Sequence, residues 1–153
     1  MTDESAAPRR SPPRPEDFPH LVRQTLRFRD LDPQNHVNNA VFVTFLEAGR
    51  VPLLRDPRYG MWIDGATYVQ ARLIIDYLAE IHYPGDVVIG TRVARVGTSS
   101  LTFDQAVFSG DRCAGLATST LVMLDRDTRK PRPLPADLAA RLRAGGGAVP
   151  EVG

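Results

Sequence analysis

From Leu21 the chain alternates. Val22, Gln24, Leu26 and Phe28 fall on one side of an extended backbone, with Leu21, Arg23, Thr25, Arg27 and Arg29 on the other. This is the two-residue period of a strand with one mostly wet face. It stops at Arg29-Asp30-Leu31-Asp32-Pro33, where Asp-Pro signals a turn. The period then lengthens. Over residues 38–50, Val41, Phe45 and Ala48 share one helical stripe, and Phe42, Leu46 and Gly49 share another. A helix apolar over so much of its surface is predicted to be almost completely buried. Asn38 or Asn39 can cap it, Pro52 ends or kinks it, and residues 57–60 form a loop.

Four strand-like stretches follow, at residues 67–81, 87–96, 101–108 and 112–124. In the first, Val69, Ala71, Leu73, Ile75 and Tyr77 share a face. Tyr83-Pro84-Gly85-Asp86, residues 97–100 and Ser109-Gly110-Asp111 supply tight connections. A short helix is predicted over 136–143, after Pro131, Pro133 and Pro135. Short connections favour antiparallel neighbours. The apolar face of such a sheet must be covered, and the early helix is the one element long and apolar enough to cover it. The predicted fold is therefore α+β, a mainly antiparallel sheet wrapped around a long central helix. Residues 1–20 hold five Pro and read as a flexible leader, 21–144 as the folded domain, and 145–153, opening on Gly145-Gly146-Gly147, as a flexible C-terminal tail.

Composition narrows the partners. The 153 residues carry 19 Lys and Arg against 18 Asp and Glu, a net charge of +1 that gives no broad field for nucleic acid. A local phosphate site stays open, because Lys130 is the single lysine among the cations. One cysteine, Cys113, excludes an internal disulfide and any multi-cysteine metal site. No apolar run approaches the roughly 20 residues that span a bilayer, so no membrane insertion is expected. The N-terminus lacks the apolar core of a secretory signal, and a cytoplasmic protein is the default. His20, His36 and His82 have no familiar ligand spacing, so no metal is expected.

The segment Asp30-Leu31-Asp32-Pro33-Gln34-Asn35-His36-Val37-Asn38-Asn39-Ala40-Val41-Phe42 resembles the signature of the hotdog-fold acyl-CoA thioesterases of the 4-hydroxybenzoyl-CoA thioesterase type. The common form is Asp-x-Asp-x-x-Gly-His-Val-Asn-Asn-x-x-Tyr. Tyr83-Pro84-Gly85-Asp86, Gly97-Thr98-Ser99-Ser100, residues 117–125 and Arg132-Pro133-Leu134-Pro135 resemble later parts of the same family, so the likeness covers roughly residues 21–143. Asn35 stands where Gly is usual and Phe42 where Tyr is usual. Asn tolerates a left-handed backbone, whereas Phe42 loses a hydroxyl.

The residues themselves allow a chemistry. Asp32, beside a helix start, can attack a thioester carbonyl or take a proton from water, or it caps a turn before Pro33, and the whole motif favours the catalytic role. The unsatisfied amides of the helix beginning near Asn38 can stabilise the resulting oxyanion. The resemblance implies the same roles and places the oxyanion donor near Asn39. It also gives His36 a loop-shaping and channel role, and sets Val37, Asn38 and Phe42 about the substrate. Thr98, Ser99 and Ser100 form a turn that can approach from a neighbouring strand or subunit. Asp30 has two readings: it pairs with Arg27 or Arg29 or holds the loop, or it serves as a second base. Glu47 makes an i,i+3 ion pair with Arg50 or serves as the runner-up acid, since some other hotdog thioesterases place an acid on the helix. Arg92, Arg95 and Arg112 are candidates for the nucleotide of coenzyme A. No nucleophile elbow appears, and Cys113 lacks a Cys-His setting.

The function these features imply is hydrolysis of an acyl-CoA thioester to a carboxylic acid and free CoA. No cofactor is implied beyond the coenzyme A of the substrate. The alternative is a non-catalytic acyl-CoA or small-ligand binding module on the same fold. A hydratase-like enzyme lacks its Asp-His arrangement after a helix start. Sheet edges and the resemblance imply a homodimer, with further pairing to a homotetramer left open.

Overall fold

The structure, a computed structural model, describes residues 11–153. Strand β1 (His20–Thr25) leads through the Asp30 loop into helix α1 (Asn39–Arg55). Strands β2 (Ala66–Tyr77), β3 (Asp86–Val96), β4 (Ser100–Ser109) and β5 (Arg112–Asp125) follow, then helix α2 (Ala136–Ala144). The five strands form one sheet in the order β1-β3-β4-β5-β2, antiparallel at every pairing. Because α1 carries the chain from one edge to the other, it lies across the face the sheet must bury. This is the sheet around a long helix expected from the hydrophobic pattern, and the hotdog fold that the resemblance implied.

Val87, Ile89, Val93, Leu101, Phe103 and Val107 are buried on that face, against Phe42, Phe45, Leu46, Leu53 and Leu54 of α1. Gly49 sets the approach. A Cβ there would stand 2.4 Å from Ile89 Cγ2, so no larger side chain lets helix and sheet meet this closely. The helix continues past the predicted stop at Pro52. Proline costs one backbone donor there, while buried Leu53 and Leu54 hold the last turn down.

The helix departs from near-complete burial. Its core face is sealed, but Val43, Thr44, Glu47 and Val51 are exposed along the side nearest β2. Strand β2 ends at Tyr77, four residues short of the predicted limit, where Leu78 and Ala79 both donate to the Ala114 carbonyl. Its register slips at a bulge between Gln70 and Arg72. An extra residue reverses which positions face the helix. Tyr68 and Gln70 therefore join Leu73 and Ile75 on the inner face, in place of Val69 and Ala71.

Both ends pack more than a leader and a tail would. Residues 1–10 of the expected leader lie outside the described residues. Beyond them, Phe18 is buried beside Phe108, its ring 5.8 Å away, where the bare backbone of Gly90 admits it. In the tail, Val149 is buried and donates to His20 Nε2 at 2.8 Å. Gly147 O accepts from Val93, and Val152 donates to Arg58 O. The glycines turn this segment back onto the body, because Gly146 and Gly147 adopt positive φ. Among the described residues no helix is long and apolar enough to cross a membrane.

Candidate active site

The loop before α1 is held by its own backbone. Leu31 and Val37 form an isolated antiparallel bridge. Inside it, Asp32 N–H donates to His36 O and Asn35 N–H to Asp32 O, both at 3.0 Å. This turn needs a left-handed residue, and Asn35 supplies it at φ 70° in place of the usual Gly. Asp32 Oδ1 accepts the Gln34 N–H at 2.9 Å, while Oδ2 lies 3.6 Å from His36 Nδ1. Asp30 is buried, accepts from the Arg27 backbone at 2.8 Å and pairs with its guanidinium at 3.1 Å. It holds the loop, one of the two roles expected of it.

Asn38 caps the helix. Its Oδ1 accepts from Ala40 N–H at 2.8 Å and its carbonyl from Val41 N–H at 2.9 Å. The N–H of Asn39 has no partner among the described residues. It lies at the positive end of a 17-residue helix. Asn39 lines a cavity of about 360 Å³ with Gln34, His36, Val37, Phe42 and Tyr77, closed by Leu78, Ala79 and Glu80. Asp32, Asn39, His36, Val37, Asn38 and Phe42 are thus gathered at one end of α1.

Phe42 is buried with its ring 5.1 Å from that of Tyr77, whose hydroxyl donates to Asn39 O at 3.1 Å. Tyr77 therefore brings a hydroxyl to the side of the cavity where Phe42 has none. Glu80 lies between two imidazoles, 3.8 Å from His36 and 3.5 Å from His82. Tyr77 and Glu80 went unnoticed in the sequence. Only the register of β2 against β5, with Tyr77 opposite Gly115, brings them to the helix start.

Other candidates lie elsewhere. The Thr98–Ser100 turn is tied to the far end of the sheet, with Ser99 O accepting from Met123 and Thr98 O from Leu134. Ser100 pairs with Val122 and Tyr77 with Gly115, seven residues apart along β5 and so about 23 Å. Within one chain this turn does not reach the cavity lined by Asn39, which lies beside the Asp32 loop. Glu47 does not form the expected ion pair with Arg50 and instead lines a second cavity, of about 200 Å³, with Arg50, Trp62, Tyr68 and Gln70. Arg50 turns inward to Gln105 and Gln70.

Arg112 reaches the Glu80 carbonyl at 2.6 Å, which brings it to the rim of the first cavity. Arg92 is engaged by Asp104 on the opposite face of the sheet, and Arg95 is exposed. Cys113 is buried, and burial pushes its thiol pKa up, the opposite of an activated nucleophile. Among the described residues no group of three His, Cys, Asp or Glu could hold a metal.

An antiparallel sheet around a long helix, with a carboxylate loop and a cavity at the helix start, fits one class: a hotdog thioester hydrolase. The chain belongs to the thioesterase-like superfamily, whose model matches residues 26–142. A thioesterase from Thermus thermophilus, solved with coenzyme A and Zn, is 38% identical over 84% of this chain and 95% of that one, with a TM-score of 0.74. A predicted thioesterase from Bacillus stearothermophilus is 28% identical over 82% and 94%, with a TM-score of 0.71. A DHNA-CoA thioesterase from Staphylococcus aureus shares the fold at 20% identity over 75% and 80%, with a TM-score of 0.67. No curated protein matches the chain.

Proposed function

We propose that the chain hydrolyses acyl-CoA thioesters at the cavity beside Asp32 and Asn39. The observation that carries this reading is the Asn39 amide, without a partner among the described residues, at the start of α1 beside that cavity and one tight loop from an aspartate. The amide stabilises the oxygen that gains charge as the thioester carbon becomes tetrahedral. Asp32 supplies the electron pair, by direct attack through an anhydride or by drawing a proton from water. Either way one water is consumed, the C–S bond breaks, and the thiolate leaves as CoA after taking up a proton. Coenzyme A in the Thermus thermophilus structure supports the choice of leaving group. Arg112, at the rim, is suited to a phosphate of that group. The protein needs no cofactor of its own.

The working unit is proposed to be a homodimer. Strand β2 is a 12-residue free edge, and exposed Val43 and Val51 of α1 and exposed Ile74 and Tyr77 of β2 stand beside it. Antiparallel pairing of two such edges sets the Tyr77 end of one copy beside the Ala66 end of the other. That brings the partner's Thr98–Ser100 turn toward the Asp32 cavity.

Thiol release from a panel of aryl- and alkyl-CoA esters tests the reaction. Asp32→Asn keeps the shape and removes the base, so kcat is expected to fall about 100- to 10,000-fold with a much smaller change in KM. Glu47→Gln is expected to stay within a few-fold of wild type. The reverse pattern would move catalysis to the helix acid. Binding without thiol release from any ester would make the chain a carrier. Oxygen-18 from solvent, followed through one turnover, separates the two routes: label found in Asp32 marks direct attack.

A further inference from the structure

The second cavity shares no lining residue with the first. It lies along the later half of α1, between the helix and the first half of β2. Arg50 is at its base and is only 5% exposed, the one buried arginine among the described residues. Some exposed arginines have carboxylate partners, Arg23 with Asp86, Arg58 with Asp56 and Arg92 with Asp104, while others, Arg95 among them, have none but lie in water. No carboxylate among the described residues comes within 4.0 Å of Arg50. Its partners are two neutral amide oxygens, Gln105 Oε1 at a long 3.4 Å and Gln70 Oε1. Glu47, in the same lining, acts on this charge from beyond ion-pair distance, so burial is only partly offset, and a site of this kind favours a closer anion.

The surroundings are built around this guanidinium. Gln105 is itself fully held, donating to Leu46 O at 2.8 Å and Thr91 Oγ1 at 3.0 Å and accepting from Ser119 at 3.0 Å. Gln70 points to Arg50 because the bulge after it switches the facing of β2. Two of the five guanidinium N–H donors are used, and Arg50 lines the cavity. Arg50 and Arg55 against Glu47 leave the lining one positive charge in excess. Val51, Leu54 and Leu121 supply apolar wall for methylene groups.

We propose that this cavity binds a carboxylate at the far end of the acyl group, which makes ω-carboxyacyl thioesters the preferred substrates. The inference rests on the thioesterase reading for the identity of the substrate, but the carboxylate site itself needs no turnover. Arg50 lies eleven residues beyond Asn39, about 16 Å along the helix. Its side chain leans back toward the helix start, which shortens the span. The acyl chain then has its thioester at the first cavity and its carboxylate at the second. Arg50 is here a specificity residue; it touches the substrate and takes no part in bond breaking.

Trp62, the single tryptophan, lines the same cavity and reports its occupancy by fluorescence. The test titrates the full chain with two non-hydrolysable thioethers of coenzyme A of equal length, one ending in a carboxylate and one in a methyl group. The carboxylate form is expected to bind about tenfold to a hundredfold tighter and to change the Trp62 emission. Arg50→Gln is expected to bring that ratio toward one, and Arg50→Lys to restore part of it. In turnover the same preference is expected in KM across matched esters. Equal affinity of wild type for the two thioethers overturns the proposal and needs no variant to fold. A preference that survives in folded Arg50→Gln also overturns it. If no ester releases thiol but the binding preference holds, the hydrolytic reading fails and the carboxylate site stands.

Discussion

Asn38 and Asn39 are neighbours with opposite duties. The first spends its side chain closing the helix start; the second keeps its backbone donor open. Asn38→Ala would leave Ala40 N–H without its partner. It is expected to cost about 1 kcal/mol and to lower the melting temperature by about 2–4 °C in a thermal scan. Asp32 and Asn39 stood out as candidates because they lie in one continuous segment, residues 30–42. Arg50 did not. A local helix rule pairs it with Glu47, three positions away, but Gln105 and Gln70 come from strands 55 and 20 residues distant. No local pattern announces that a side chain will be drawn inward by partners so far along the chain.

Among the elements, the strands of the sheet were readable from alternation, and α1 from its longer period. The exception is instructive. In β2 the pattern of Val69, Ala71, Leu73 and Ile75 looks uninterrupted, yet the bulge assigns Tyr68 and Gln70 to the core side. A bulge is a property of two strands together, and one strand read alone cannot show it. The helix meets the sheet at Gly49, where an added methyl must displace Ile89. Gly49→Ala is expected to destabilise by about 1–3 kcal/mol in urea unfolding, despite alanine's better helix propensity.

The C-terminal segment gives a pH prediction. Burial holds the His20 pKa below its usual 6.5, and Nε2 accepts the Val149 N–H only when unprotonated. The unfolded chain takes up this proton more readily than the folded one. This contribution to stability is therefore complete above pH 6.5 and declines as pH falls from there toward the lower folded value. Protection of the Val149 amide against hydrogen exchange, taken relative to its intrinsic rate at each pH, is expected to fall over that range, and this fall is expected to be absent in His20→Gln.

For the molecule as a whole, the two sheet edges differ in kind. β1 offers six residues and β2 twelve, the latter flanked by exposed apolar side chains. The expected particle in sedimentation equilibrium is at least twice the mass of the 153-residue chain. Val43→Asp, on the exposed side of α1, is expected to shift it toward monomer. If the partner's turn serves the Asp32 cavity, thiol release should fall in parallel with dimer content. The sequence offered a neighbouring strand or a neighbouring subunit for the Thr98–Ser100 turn; within one chain it lies at the end of the sheet opposite Tyr77 and the start of α1.

The contact between Gly49 and Ile89 also fixes a distance. Both cavities open along α1, and the helix is pinned to the sheet between Asn39 and Arg50. It therefore acts as a caliper with two immovable jaws, one at the reacting carbon and one at the distal anion. A flexible gap would accept a broad range of lengths; this one should reward a single spacing and penalise both shorter and longer chains. Moving the guanidinium by one helical turn, about 5.4 Å, would reset the gauge while the jaw that performs the reaction stays in place.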